Sequence, residues 1–580
     1  MSEVLMQEIR SRFEQLNTNE AADRALFLED LRFTYNIDNG QWPQDVLDKR
    51  KNRPCLASNK LRKYLAQVAN RERDMRMAMK VRPVDNYGDP KTADIYDGIL
   101  RHIEYQSSAD EVYTHGGLYA LAGGWGYWRV RADYVPDEFV QEILINKIEN
   151  PLSVWSDPRG NYCFIREGLT KDEFKTQHPD AEYVDTKTGN YGDAYALWYE
   201  KEKIFISEYY KKEFYDKTIA KVFADGGAKI IELTREITPE FITAQGFQVL
   251  DTRTFKSPRI KWYKVSGHEV LEERTLPGET IPVVQVEGDF INIDGKIYKR
   301  SFIRDGKDPQ RLYNYSLSAF AETVALQPKA PYMVFLDEIE GLTKYWDNPD
   351  GNHFYLPVNR VGGGDRPRRE LPPQASSGSL AMLNISDKDI SDTLGLYEAS
   401  FGQTSNERTG IAIRNRAQRG DLTTYHFPDN LRKAILQTVR IAIEWIPKIY
   451  DTERVVRMRG EDGKTATVEI NKTVMLNGRP VILNDLSVGR YDVEGDIKNY
   501  SNRRQEAVEQ MTYVLQTTPA IAPALLPIIA KYNDWPGADE MKDAIEKYMA
   551  ATTQQTKNPQ QGIPDEEILN QPVMGEGEQV

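Results

Sequence analysis

The spacing of apolar residues changes at Gly123-Gly124, and this change constrains the fold more than any other feature of the sequence. Up to about residue 120 the apolar residues recur at helical spacing, and Asn59 is placed to cap a helix that runs to about Lys80. After the two glycines, "WGYWRVRADYV" and "FVQEILINKIE" alternate apolar and polar residues with the period of a β-strand. Because 580 residues exceed what one hydrophobic core supports, we expect an α+β protein with two to four domains.

Turn and cap signals predict a small β module between two helices. A short helix is expected at 237–245 with Thr238 as its cap, and a longer one at 308–326. Between them, Ser266-Gly267 and Asp294-Gly295 are typical two-residue hairpin turns. We expect this module to be an insertion that projects from the main body.

The rest of the chain gives shorter signals. They predict strands at 202–212 and 217–224, a helix at 386–401, a helix from Asp429 or Asn430 to Trp445, a hairpin with Asn477-Gly478 at its tip, helices over 501–550 and a disordered acidic tail over 551–580.

Charge and composition exclude several classes of protein. Lys plus Arg number 75 against 88 Asp plus Glu, so the formal net charge is −13, which argues against a protein that coats nucleic acid tightly. No run approaches 18 apolar residues, so no membrane span is expected. The N-terminal stretch is too polar for a signal peptide. The two cysteines, Cys55 and Cys163, have no metal-ligand spacing, and we expect reduced thiols in a protein made in a cytosol.

Searches for an active site find none. "DGKTATV" at 462–468 resembles the end of a phosphate-binding loop, but such a loop needs a glycine where this chain has Met458, and the stretch is better interpreted as a turn between strands. The six histidines are scattered, so neither a metal site nor a cofactor is predicted. The missing loop disfavours an ATP-driven motor.

Two stretches concentrate positive charge in this acidic chain. Residues 49–80 hold eleven Lys or Arg and two acids. One interpretation is a basic face in solvent around a packed apolar stripe. The other is a surface that contacts an acidic partner, which is either a neighbouring subunit or DNA. The stretch 404–421, "TSNERTGIAIRNRAQRGD", holds four arginines and is bounded by glycines. An acidic chain that collects four guanidinium groups in one short stretch needs a reason for them, which composition alone does not supply.

Motifs spread over residues 45 to 510 resemble the portal proteins of the short-tailed (podovirus) phages that infect enteric bacteria. They include "NRPCLASNKLRKYLAQVANRER" at 52–73, "GGWGYWRV" at 123–130, "NPLSVWSDP" at 150–158, "GETIPVVQVEG" at 278–288, "KDPQRLYNYSLSAFAETVALQPKAP" at 307–331, "SNERTGIAI" at 405–413, "DNLRKAI" at 429–435 and "IPKIYDTERVVRMRGEDG" at 446–463. Each motif alone is weak, but their order along the chain is specific.

The resemblance implies a portal fold with a wing, a helical stem, a β-rich clip and a helical crown, which assembles into a ring of 12 subunits. Carried over, the parts are the wing at 1–236, 327–400 and 421–500, the stem at 237–257 and 306–326, the clip at 258–305, the tunnel loop at 401–420, the crown at 501–550 and the tail at 551–580.

The resemblance also implies a non-enzymatic conduit for double-stranded DNA at the capsid vertex of the virion. A packaging enzyme of the terminase type, with ATPase and nuclease activity, is the alternative from another class, and the missing phosphate-binding loop disfavours it. Its expected partners are further copies of itself, viral DNA without sequence preference, the large terminase subunit, the tail adaptor, and the major capsid and scaffolding proteins; no membrane partner is expected. The site residues are then DNA-facing Gln403, Arg408, Arg414, Arg416 and Arg419 in the tunnel, clip contacts Arg259, Lys261 and Lys264, and a basic face with Arg71, Arg73 and Arg76. For the four tunnel arginines, pairing with acidic groups of the adjacent subunit and simple exposure to solvent are the alternatives.

Overall fold

A computed structural model describes most of the chain in two units, Met1–Asp496 and Ile497–Val580. The described residues are 2–74, 78–85, 88–181, 199–200, 203–224, 227–234, 237–326, 332–349, 351, 353–360, 367–369, 377–396, 424–459, 465–476, 479–496, 510–517 and 529. In the second unit, residues 510–517 are helical, as the sequence predicts for that part of 501–550. The rest of 501–550, the hairpin tip at 477–478 and the tail at 551–580 lie outside the described residues.

The helices of the described residues, in chain order, are α1 Ser2–Tyr35, α2 Gln44–Lys49, α3 Leu61–Asp74, α4 Pro90–Gln106, α5 Ala109–Gly123, α6 Lys171–Gln177, α7 Pro239–Ala244, α8 Lys307–Leu326, α9 Leu336–Ile339, α10 Thr343–Trp346, α11 Ser377–Leu394 and α12 His426–Ile449.

The strands are β1 Ala78–Pro83, β2 Trp125–Tyr134, β3 Gln141–Lys147, β4 Val154–Ser156, β5 Tyr162–Thr170, β6 Tyr199–Glu200, β7 Lys203–Ala224, β8 Gly227–Leu233, β9 Gln248–Val265, β10 Val270–Leu276, β11 Val283–Glu287, β12 Asp289–Ile293, β13 Lys296–Arg300, β14 Tyr332–Met333, β15 Arg368–Arg369, β16 Arg454–Arg459, β17 Thr465–Ile470, β18 Lys472–Leu476, β19 Arg479–Leu483 and β20 Tyr491–Asp496.

The described strands pair antiparallel. The largest sheet has the order β10-β9-β7-β5-β4, with β6 and β8 also paired to β7, and a second sheet has the order β11-β2-β3. The remaining strands form two-stranded ribbons, which are β1-β20, β12-β13, β14-β15, β16-β17 and β18-β19. The mixed helix and strand content predicted from the sequence is therefore confirmed.

The largest apolar cluster lies where α4, α5 and α12 pack on the second sheet. Trp128 is completely buried there, and its indole Nε1 donates a hydrogen bond to Thr438 Oγ1 at 2.7 Å. The backbones of α5 and β2 approach so closely that a Cβ on Gly126 would lie 2.0 Å from the Gly116 carbonyl oxygen. Glycine at position 126 therefore sets the distance between this helix and the sheet.

A second apolar cluster joins six helices, which are α1, α3, α5, α8, α11 and α12. Its buried members include Phe33 of α1, Leu65 of α3, Tyr313 of α8, Ile390 of α11 and Phe427 of α12. A third cluster packs the first half of α1 on the largest sheet. Helix α1 thus contacts both the sheet and the helical part of the first unit.

The expected stem helix region at 237–257 is wrong over its second half. Helix α7 ends at Ala244, and residues 248–257 are extended in β9. Seventeen residues of β9 pair with β7, from Gln248 opposite Phe223 to Val265 opposite Ser207. Backbone hydrogen bonds to a long neighbouring strand outweigh the weak tendency of such a short segment to form a helix. The cap prediction holds, because Thr238 accepts a hydrogen bond from the Phe241 N–H.

The β module is not the isolated insertion that we expected. Strands β9 and β10 extend the largest sheet, while β11 pairs with β2 in the second sheet. Within the expected clip, the second half of β9 pairs with β10, and β12 pairs with β13 in a separate two-stranded ribbon. Its turn is correctly predicted, since Asp294 and Gly295 both have positive φ angles, 52° and 80°. The connection at Ser266-Gly267 is longer, because β9 ends at Val265 and β10 starts at Val270.

Several element boundaries also differ from expectation. The helix expected to reach Lys80 ends at Asp74, and a strand begins at Ala78. The strands expected at 202–212 and 217–224 are one strand, β7. Helix α12 begins at His426, so neither Asp429 nor Asn430 is its cap. Helix α8 confirms the prediction for 308–326, and the Asn59 side chain accepts a hydrogen bond from the Arg62 N–H at 3.3 Å.

Candidate DNA and subunit interfaces

The arginine-rich stretch that the sequence predicts to line a tunnel lies outside the described residues, with Gln403, Arg408, Arg414, Arg416 and Arg419. The chain that flanks it is well anchored. Leu394 and Leu396 before it and Phe427 after it are buried in the second apolar cluster. The Phe427 ring lies edge-on to Phe302, with 5.6 Å between ring centroids. The residues just before the stretch and just after it therefore lie in the same apolar cluster.

The basic stretch 49–80 uses part of its charge inside the chain. The Arg50 side chain is 8% exposed, and its guanidinium contacts Glu322 at 3.3 Å and the Pro54 carbonyl at 3.1 Å. Lys60 pairs with Asp387 of α11 at 3.2 Å. These bases hold α8 and α11 against the N-terminal segment. Arg50 and Lys60 are therefore not part of a solvated basic face. That interpretation remains for the other Lys and Arg residues of the stretch.

The basic face predicted at Arg71, Arg73 and Arg76 lies at the end of α3. Arg71 is half-buried and Arg73 is exposed, both in the last turn of the helix. Arg76 lies outside the described residues. Only Arg73 is therefore seen to present its charge to solvent.

A carboxyl group between these arginines is buried, which the charged run "RERD" did not reveal. The Glu72 side chain is 9% exposed and packs beside α5 and α12. A Cβ on Gly117 would lie 2.9 Å from its Oε2, so a glycine makes room for the carboxyl. Burial raises the pKa of Glu72 to about 8.

The three clip residues do not form one basic surface. Arg259 and Lys261 point to one face of β9 and Lys264 to the other, because successive residues of a strand alternate. Arg259 pairs with Glu213 at 3.2 Å, and Lys261 pairs with Glu273 at 2.9 Å. Lys264 stands opposite acidic residues of both neighbouring strands, Glu208 and Glu272. The sequence could not show that the adjacent strands balance this charge.

Helix α8, which the sequence predicts to be a stem helix, packs through polar side chains. Gln310, Asn314 and Ser318 lie one turn apart on the same side, and each is completely buried. Each accepts a hydrogen bond from a backbone N–H of the extended segment 54–60; the donors are Lys60 at 2.9 Å, Ser58 at 3.0 Å and Leu56 at 2.8 Å, respectively.

We call these three side chains the polar ladder. The apolar spacing that predicts the helix is formed by Leu312, Phe320 and Val324; Leu312 is 38% exposed, Val324 is 45% exposed and Phe320 is half-buried. Apolar periodicity cannot predict which side of a helix is buried when that side is polar.

The described part of the chain holds neither a metal-binding cluster nor a membrane-spanning helix. Within it, no group of three or more His, Cys, Asp or Glu side chains could hold a metal ion. No helix in it is long and apolar enough to cross a membrane.

Comparisons with known proteins agree with the motifs. Residues 10–579 match the family described as Phage P22-like portal protein. The chain is 24% identical to the portal protein of Acyrthosiphon pisum secondary endosymbiont phage 1 over 594 aligned positions, which cover 94% of this chain and 80% of that one. Members of this family are structural, non-enzymatic components of the phage virion. A match that spans nearly the whole chain shows the family, and the protein therefore belongs to the P22-like phage portal proteins.

Proposed function

We propose that twelve copies of this chain close into a ring at one vertex of the capsid and form the conduit through which double-stranded DNA enters during packaging and leaves during ejection. The family match over residues 10–579 carries this proposal. The host cytoplasm is where the protein is made and where the ring joins the major capsid and scaffolding proteins. The subunit number and the division into wing, stem, clip and crown belong to the proposal.

The tunnel loop supplies weak, sequence-independent contacts to DNA phosphates. Duplex DNA carries one charge per about 1.7 Å of its axis, so a few rings of guanidinium groups suffice to centre it. The net charge of −13 disfavours adhesion elsewhere in the bore. Leu396 and Phe427, on either side of this stretch, are buried in one apolar cluster, which is consistent with a loop that starts and ends at one place on the subunit. Pairing of the same arginines with acidic groups of the adjacent subunit is the alternative for these residues.

Docking of the terminase, and later of the tail adaptor, is assigned to the clip. Arg259 and Lys261 already have acidic neighbours at 3.2 and 2.9 Å. A partner therefore has to recognise a charge-balanced strand, in which the acids Glu213 and Glu273 contribute as much as the bases. We therefore expect the partner to carry both acidic and basic groups on its docking surface, and not acidic groups alone.

Electron microscopy of the purified chain tests the ring first. We expect closed rings with an opening at least as wide as a double helix, which is about 20 Å. A chain that stays monomeric over a wide concentration range would refute the proposal.

The role of the arginines is tested by Arg414→Glu combined with Arg416→Glu. Rings that assemble but fail to package DNA support contact with DNA, and rings that dissociate support pairing between subunits. Reversal of two exposed lysines, Lys91→Glu with Lys203→Glu, is the matched control for a change of the same net charge. We expect this control to assemble and to package DNA normally.

A further inference from the structure

The segment 332–360 exposes large apolar side chains to an unusual degree. Its most exposed members are Met333 at 59%, Phe335 at 68%, Leu336 at 80%, Phe354 at 105% and Tyr355 at 71%. Exposed apolar residues clustered in one short stretch mark a contact surface more often than free surface. We call its described residues the acidic aromatic segment.

This segment is held together by its own hydrogen bonds, so the exposed side chains are presented on a defined support. The Trp346 indole donates to the Pro357 carbonyl at 2.9 Å, and the Tyr332 ring lies edge-on to Trp346 at 5.5 Å. The Asn359 N–H and side-chain amide donate to the carbonyl oxygens of Glu338 and Glu340, both at 2.7 Å.

The charge of the segment is acidic. Its described acids are Asp337, Glu338, Glu340 and Asp347, against the bases Lys344 and Arg360. Negative charge disfavours contact with DNA phosphates. An apolar surface with acidic groups is complementary to an apolar surface with basic groups.

The N-terminal part of the same chain carries such a surface, which we call the basic apolar face. From residue 35 to residue 63 there are seven Lys or Arg, all after residue 48, against three acids, Asp38, Asp45 and Asp48, so the face is basic overall, although Arg53 already pairs with Glu322 at 3.3 Å. Its exposed apolar members are Tyr35 at 38%, Ile37 at 51% and Leu56 at 42%, and its exposed bases include Lys51, Arg53 and Arg62.

Contacts within the chain hold this face in place. The Trp42 indole donates to the Leu56 carbonyl at 3.2 Å, and the Asn59 amide donates to the Thr34 carbonyl at 2.6 Å. The Arg62 guanidinium lies 5.9 Å from the Tyr35 ring centroid.

We propose that the acidic aromatic segment of one subunit docks on the basic apolar face of the next subunit in the ring. Within one chain both surfaces remain exposed, so they do not cover each other. Two different complementary patches on one chain generate a head-to-tail contact, which repeats until a ring closes. This inference rests on the proposed ring.

The native Cys55 makes a sharp test, because it lies in the basic apolar face and is half-buried, whereas the other cysteine, Cys163, is 3% exposed. A Phe354→Cys variant places a second thiol in the acidic aromatic segment. Oxidation, or a short bismaleimide, is expected to link neighbouring subunits into a ladder that runs beyond the dimer on a denaturing gel. Adding Cys55→Ser to this variant is expected to abolish the ladder.

Phe139→Cys is the matched control, since Phe139 is also fully exposed, at 101%, but lies in neither surface. We expect no ladder from it. If Phe354→Cys forms rings by electron microscopy but gives no Cys55-dependent ladder, the docking proposal is wrong while the ring stands. If no rings form with the unmodified chain, the proposed function fails as well. Protection of position 354 from maleimide only after the tail adaptor is added would assign the segment to that partner and overturn the proposal.

A charge exchange gives an independent readout. Asp337→Lys with Glu340→Lys, or Lys51→Glu with Arg62→Glu, is expected to raise the concentration needed for ring assembly at least about tenfold, because like charges then face each other. All four changes together should restore assembly to within about threefold of the original chain. Absence of this rescue would contradict the proposed pairing.

Discussion

Replacement of Asn314 by alanine tests whether the polar ladder of α8 holds the segment 54–60. Its Oδ1 accepts hydrogen bonds from the Ser58 N–H at 3.0 Å and from Gln310 Nε2 at 2.9 Å. Its Nδ2 donates to Gln41 Oε1 at 2.8 Å. The side chain is completely buried, so water cannot replace the lost partners.

The expected loss follows from these three hydrogen bonds. A neutral hydrogen bond contributes about 1 kcal/mol net, and a buried group left without a partner costs about 1–3 kcal/mol. Asn314→Ala should therefore lower the free energy of unfolding by about 3 kcal/mol, which urea denaturation measures. All variants are compared at one chain concentration, because assembly adds to apparent stability.

Hydrogen exchange gives the local readout. The amides of Leu56, Ser58 and Lys60 donate to the ladder, so their protection reports whether the segment is docked. A loss of about 3 kcal/mol in local stability corresponds to a fall in protection of about 100-fold.

Leu312→Ala is the control for this variant, because Leu312 lies on the exposed side of the same helix. It should change the free energy of unfolding by less than about 1 kcal/mol. If Asn314→Ala unfolds like the original chain and the three amides keep their protection, the polar ladder does not hold the segment.

Three further outcomes are expected. Burial raises the pKa of Glu72 to about 8, so the folded chain keeps a proton that the unfolded chain releases near pH 4.5; stability should fall on the order of 5 kcal/mol between these pH values and stay level above pH 8. Urea denaturation at pH 5.5 and 8.5 measures this, and Glu72→Gln should remove the slope; an equal slope in both proteins would assign it to other groups. Gly126→Ala should cost about 3 kcal/mol or more, seen as a lowered melting temperature, because its Cβ would meet the Gly116 carbonyl; unchanged melting would show that α5 can shift. Arg259→Ala should change the free energy of unfolding by less than about 1 kcal/mol, since its ion pair with Glu213 is exposed; a larger loss would show that the pair stabilises the sheet.

Local signals predicted the elements that local physical chemistry determines. The switch to period-two alternation after Gly123-Gly124 predicted β2 and β3, because alternation follows from the pleat of a strand. The Thr238 cap and the Asp294-Gly295 turn depend on a few consecutive residues, and both were predicted. The order of short motifs along the chain likewise predicted the family.

The tertiary structure decided what each element packs against, and it changed the interpretation of several segments. Residues 248–257 are extended because β7 offers them hydrogen-bond partners from Tyr215 to Phe223, and those partners are 25 to 42 residues away in the sequence. Arg259, Lys261 and Lys264 form a basic run in sequence but lie beside acids in space. The buried carboxyl of Glu72 and the polar ladder of α8 depend on the surfaces that meet them. The periodicity of a sequence shows which side of a helix or strand is apolar. Burial and charge balance depend instead on residues that are far away in the sequence, and only folding brings those residues into contact.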